Sequence, residues 1–190
     1  MDIVKNENPD ICKQCGGQCC MNMGCHLHPD DIVKRFGAIT RETLVQALKC
    51  GDYSADFWDG DVREDNDIEV PYEELKSDCW YLRARHIGSK AIDRSCGGVC
   101  ANLTKHGCKF SWDDRPSGGK ALIPQENHDC GKSSFDRVAG VISWIPYSDM
   151  IYEIVHSAEF DDEWTDGVDF FITLHKLHMQ DKTIMDLIPD

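Results

Sequence analysis

Four cysteines fall within nine positions in "CKQCGGQCC", as Cys12, Cys15, Cys19 and Cys20, and Cys25 follows five residues later. So many thiols in one short stretch must be paired, bound to a metal or chemically active, and this constrains the chain more than any other feature. A chain of 190 residues buries enough apolar surface to fold without staples, and 11 cysteines cannot all pair within it. The opening "MDIVKNENPD" has no apolar signal region, and no 18 apolar residues run together. The expected location is therefore cytoplasmic, with no membrane partner. In a reducing compartment, clustered cysteines serve as metal ligands or redox groups before they serve as disulfides.

A C-x-x-C turn lets two thiolates converge on one ion, and Gly16 and Gly17 permit the tight backbone that brings Cys19 or Cys20 to the same point. The neighbouring pair is harder to place, because adjacent side chains diverge and a disulfide between them would be strained. A second sulfur-rich stretch holds Cys96, Cys100, Cys108 and, more remotely, Cys130, again among glycines. The candidate metal ligands are thus Cys12, Cys15, Cys19, Cys20, Cys25, Cys96, Cys100, Cys108 and Cys130, with His106 and His128 as possible nitrogen donors. Sulfur ligation excludes magnesium and calcium and leaves zinc, an iron-sulfur cluster or Cu(I). Three thiolates from one loop plus a distant fourth suit iron-sulfur sites, whereas zinc ribbons use two C-x-x-C knuckles. The C-x3-C of Cys96 and Cys100 fits neither pattern cleanly, and the balance tips to an iron-sulfur cluster over zinc. Cys50 reads as a packed or surface thiol, and Cys79 belongs to neither cluster by spacing.

The expected fold class is α+β, irregular and loop-rich, mainly helical, with a metal-organised cysteine-rich body and amphipathic C-terminal helices. "HPDDIVKRFG" and "TRETLVQALKCG" carry helix start and stop signals: Pro29 and Thr40 at the beginnings, Gly37 and Gly51 at the ends. "DGDVREDNDIE" reads as an exposed loop, and "CWYLRAR" as a short strand with Arg83 and Arg85 on one side. Met150, Ile151, Ile154, Val155 and Ala158 line one helical stripe, and Phe170, Phe171, Leu174 and Leu177 another. His175, His178 and Asp181 share the last helix at three-residue spacing and read as surface residues or, less simply, metal ligands. The expected organisation is a cysteine-cluster domain over residues 1–147 and an acidic helical extension, 148–190, packed on it. A net charge of −14 argues against nucleic acid, whose phosphates need basic residues. Residues 147–190 hold 11 Asp or Glu against Lys176 and Lys182, which gives a solvated face or a docking surface for a basic protein.

"CKQCGGQCC", "CHLHPDDI", "CANLTKHGCKF" and "DDRPSGGKALIP" together resemble the YkgJ-type cysteine-cluster family, zinc- or iron-chelating domains of bacteria. The likeness runs from about residue 12 to about residue 147. It implies metal chelation by Cys12, Cys15, Cys19 or Cys20, and by Cys100 and Cys108, with Arg115-Pro116 as a companion feature. Some relatives are described as iron-sulfur oxidoreductases, and flagellin lysine methylases are similar in their cysteine motif. Such proteins commonly place a cysteine about three residues after the Arg-Pro pair, where this chain has Gly118, Gly119 and Lys120. Either Cys130 or Cys96 takes that place, or the site has an open position. Arg115 then either fixes its loop by hydrogen bonds or binds an anionic cofactor or substrate. The functional expectation is a metal-binding cysteine-cluster protein with a possible redox role; the alternatives are a zinc-stabilised adaptor or a group-transfer enzyme at an open metal site. No dinucleotide-binding glycine fingerprint, P-loop, G-x-S-x-G or C-x3-C-x2-C spacing is present to name a substrate.

Overall fold

Two helices near the start of the chain form where the residues dictate. The computed structural model describes residues 10–11, 14, 17, 20–21, 24–63, 78–95, 97–122, 137–165, 179–180, 182 and 184–188. Helix α1, Pro29–Phe36, begins at a capping box in which the His28 side chain accepts from the first turn and Asp31 accepts from the His28 N–H. Gly37 ends it with a positive φ of 91°. Helix α2, Arg41–Lys49, is capped by Thr40 in the same reciprocal way with Thr43, and buries Leu44, Ala47 and Leu48. Cys50 closes it, exposed, its thiol donating to the Ala47 carbonyl at 3.0 Å.

Strand β1, Tyr53–Trp58, follows, and β2, Cys79–Ala84, pairs with it antiparallel, Ala55 opposite Leu82 and Asp56 opposite Tyr81. Strand β3, Ile92–Asp93, lies parallel to β1 on its other edge. A hairpin of β4, Leu103–Thr104, and β5, Gly107–Cys108, stands apart as a second, two-stranded sheet. Helices α3, Ser117–Lys120, α4, Arg137–Ile142, and α5, Ser148–Val155, come next, and β6, Trp164–Thr165, completes the main sheet in the order β2-β1-β3-β6. The class is α+β.

All six residues of β2 are buried, so its sequence shows no alternation of apolar and polar positions. On one face the Trp80 ring packs edge-on to Tyr152 and Trp164, and the Trp80 main-chain N–H donates to Ser148 Oγ at 2.8 Å. On the other, Tyr81 and Arg83 reach Asp56. Leu27, Ile32, Leu44, Leu82, Ile92, Trp144, Ile151, Ile154, Val155 and Phe160 fill one core with Trp80 and Tyr81. Each such large side chain contributes about 1.5–3 kcal/mol by leaving water. Trp144 Nε1 donates to the Leu27 carbonyl at 2.9 Å and ties α4's end to the segment before α1.

Several sequence expectations need adjusting. Ala158 is exposed: α5 stops at Val155, and a 3-10 turn over Ala158–Phe160 buries Phe160 instead. Within the anticipated exposed loop, Val62 and Arg63 are buried, Arg63 satisfied by a fork of hydrogen bonds to Asp61. Arg83 and Arg85 do not act together, because β2 ends at Ala84 and Arg85 turns to the Tyr53 and Leu48 carbonyls. The anticipated helix over Phe170–Leu177, with His175, His178 and Asp181, lies outside the described residues. Among the described residues no helix is long and apolar enough to cross a membrane.

Candidate functional site

The extended stretch from β2 to Ile87 carries both described cysteine segments. The Ala84 N–H donates to the Cys25 carbonyl at 2.8 Å and the Leu27 N–H to the Leu82 carbonyl at 3.1 Å, so residues 25–27 line the free edge of β2. Just beyond, the Ile87 N–H donates to Val99 and the Ala101 N–H to Arg85, both at 2.7 Å, placing Cys100 opposite His86. Cys20 joins from the first loop, its carbonyl accepting from the Cys100 N–H at 2.7 Å. Gly17, with φ of 78°, makes the turn before it, and its carbonyl accepts from the N–H groups of Cys20 and Met21.

Cys108 arrives by a different route. The hairpin pairs it with Leu103, and Thr104 Oγ1 closes the turn by donating to the Gly107 carbonyl at 2.9 Å. The thiols of Cys100 and Cys108 then each lie within electrostatic reach of that of Cys25. Burial pushes the Cys25 thiol well above its ordinary range, and Cys100, Cys108 and Asp31 push it further. A thiolate at Cys25 is thus strongly disfavoured without a positive charge beside it.

The Gly118-Gly119 pair packs directly on Cys25. The Gly118 N–H donates to the His26 carbonyl at 3.2 Å, and a Cβ at Gly119 would lie 3.6 Å from Cys25 Sγ. Arg115 lies against Gly119 and holds its guanidinium 5.5 Å from the Trp112 ring centre. Among the described residues no group of three or more His, Cys, Asp or Glu is close enough to hold a metal ion alone. Cys12, Cys15, Cys19, Cys96, Cys130 and His128 lie outside the described residues. His106 is exposed at the tip of the β4–β5 hairpin. Cys79 is a core thiol, near the Val141 carbonyl and pushed up to about 12 by burial.

The chain also builds a buried charge network that spacing does not reveal. Arg83 is fully buried and donates from Nε to Asp56 at 3.0 Å and from Nη2 to the Asp93 carbonyl at 2.8 Å, with Asp93 Oδ2 3.0 Å away. His86 Nδ1 lies 3.1 Å from Asp93 Oδ2 and 3.0 Å from Ser95 Oγ. Burial works to raise the Asp93 carboxyl, but the His86 hydrogen bond and the Arg83 charge prevail and hold it well below the usual carboxylate range. Asp52 is also held low: burial opposes, and Lys109 and Arg35 overcome it. Asp56 is raised, by burial first, against the pull of Arg83.

These directions fix an acid dependence. A carboxyl depressed on folding contributes stability above its unfolded value of about 4 and loses it as pH falls through the folded value. Asp93 and Asp52 therefore weaken the fold on acidification, and Asp56, with the opposite sign, softens the slope. Urea unfolding between about pH 7 and about pH 3 should show the midpoint falling, and Asp93→Asn should flatten that fall while lowering the midpoint at neutral pH.

No family model matches the chain, and no curated protein or solved structure matches it either.

Proposed function

We propose that the chain is a metal-binding cysteine protein of YkgJ type, in which Cys25, Cys100 and Cys108, with donors drawn from Cys12, Cys15, Cys19, Cys20, Cys96 and Cys130, hold an iron-sulfur cluster or zinc. The supporting observation is that Cys100 and Cys108 both come within electrostatic reach of the half-buried Cys25 thiol. Thiolates brought together in this way repel one another until a cation is present, and a coordinating metal deprotonates a thiol outright. The donor set is soft sulfur, which fits zinc, iron-sulfur or Cu(I). Because the described donors do not close a site alone, the reading requires at least one of the remaining cysteines.

An iron-sulfur cluster would supply one-electron transfer at such a site, and zinc a cross-link without redox chemistry. The protein's own part is to hold Cys25 half-buried, to bring Cys108 in on a hairpin and to keep Gly118 and Gly119 without side chains beside Cys25. Cytoplasmic residence belongs to the same reading, since thiols of this kind persist where the medium is reducing.

Metal analysis and a visible spectrum of anaerobically purified protein test it. Stoichiometric iron with a thiolate-to-iron band near ~400 nm, or a colourless sample with stoichiometric zinc, is the expected result. Cys100→Ser and Cys25→Ser should each abolish stoichiometric loading. Metal-free protein that remains folded while its cysteines other than the core Cys79 all react with a thiol reagent would overturn the reading.

A further inference from the structure

His86 is 1% exposed and stands where three segments meet. Its Nε2 accepts the Gly24 N–H at 2.9 Å, one residue before Cys25. Its backbone forms the bridge to Cys100. Its ring is roofed by Gly98, where a Cβ would come within 2.8 Å of the ring carbon Cγ and 2.9 Å of Nδ1. Accepting from Gly24 makes Nε2 the unprotonated nitrogen, so the proton of the neutral ring sits on Nδ1 and faces Asp93 Oδ2 and Ser95 Oγ. Arg83 Nη1, 2.8 Å from Nε2 and 3.0 Å from Nδ1, backs the ring from inside the core. Both ring nitrogens are thereby engaged within the fold, which distinguishes His86 from a metal ligand.

We propose that His86 is the positioning residue of the sulfur site, fixing Gly24-Cys25 and Gly98-Cys100 in register from a base of Asp93, Ser95 and Arg83. One hydrogen bond sets the height of the Cys25 main chain, and one ring face sets the approach of the Cys100 strand. The role in metal binding rests on the proposed function, whereas the registration of the two segments does not depend on it. Partners that orient ligands in this way typically change metal affinity about 10- to 100-fold when removed.

The test combines cobalt(II) titration under anaerobic conditions with site-resolved hydrogen exchange, on the wild type, His86→Ala, His86→Gln and Ser95→Ala. The expected result is faster exchange at the Gly24 and Cys100 amides in His86→Ala, with cobalt affinity lower by about 10- to 100-fold and altered thiolate-to-cobalt bands. His86→Gln, whose amide oxygen can accept from Gly24, should recover part of both. Ser95→Ala, which loses one contact to Nδ1, should show a smaller change of the same kind and serves if His86→Ala does not fold. Wild-type affinity, bands and exchange in His86→Ala would overturn the proposal, as would a loss that His86→Gln leaves untouched. If the wild type takes no cobalt, the metal reading fails alone, and exchange decides: faster exchange confined to residues 24–25 and 98–101 supports positioning by His86, and unchanged exchange refutes it.

Discussion

Replacing Arg83 with methionine should destabilise the protein by about 3–5 kcal/mol, measured as the shift in urea midpoint at unchanged m-value. The guanidinium is fully buried between Asp56 and Asp93, and Asp93 is as deeply buried as Arg83. Removing the cation leaves two buried carboxylates without the guanidinium between them, which costs far more than the pair itself contributes. Asp56 is already raised by burial, so without Arg83 it should hold its proton to higher pH still. A triple change, Arg83→Met with Asp56→Asn and Asp93→Asn, should recover much of the loss, because the cost is that of stranded charge. A single Arg83→Met with wild-type stability would show that the network contributes nothing.

Gly24→Ala should match or exceed the ~1–3 kcal/mol typical of an overpacked core, and should also displace Cys25. A Cβ at Gly24 would overlap the Ala84 carbonyl oxygen, a main-chain atom in the strand that anchors Cys25. The strand cannot retreat, since its other edge is paired to β1 through six residues. The cysteine segment must move instead, breaking the bond from the Ala84 N–H to the Cys25 carbonyl. Gly37→Ala is the control: it sits at a positive φ, but a Cβ there meets nothing within 4 Å. Its cost should be the smaller one of a strained helix end, about 1 kcal/mol. Thermal melts and Cys25 alkylation rates on the two variants separate these effects, and equal alkylation rates would argue against the displacement.

What could be read in the chain was local. Pro29, Asp31, Thr40 and Gly37 act on neighbours a few residues away, so α1 and α2 were legible to within a residue. Arg83 was placed correctly on a strand, yet its burial was hidden, because Asp56 and Asp93 become its partners only through the pairing of β1 with β2 and β3. His86 is hidden for the same reason: its main partner Gly24 is 62 residues away. His106, one of the two loop histidines that the sequence brings forward, instead sits at the tip of an exposed hairpin. The approach of Cys25 to Cys108 depends on where β4 and β5 turn, and no spacing rule encodes that.

The bond from Trp144 to Leu27 spans 117 residues. At a synthesis rate of roughly 5–20 residues per second, Leu27 waits roughly 6–25 s for its donor to be made. The thiols of the first loop leave the ribosome ahead of the residues that shelter the segment beside them. Their fate in that interval is therefore set by the redox state around the nascent chain.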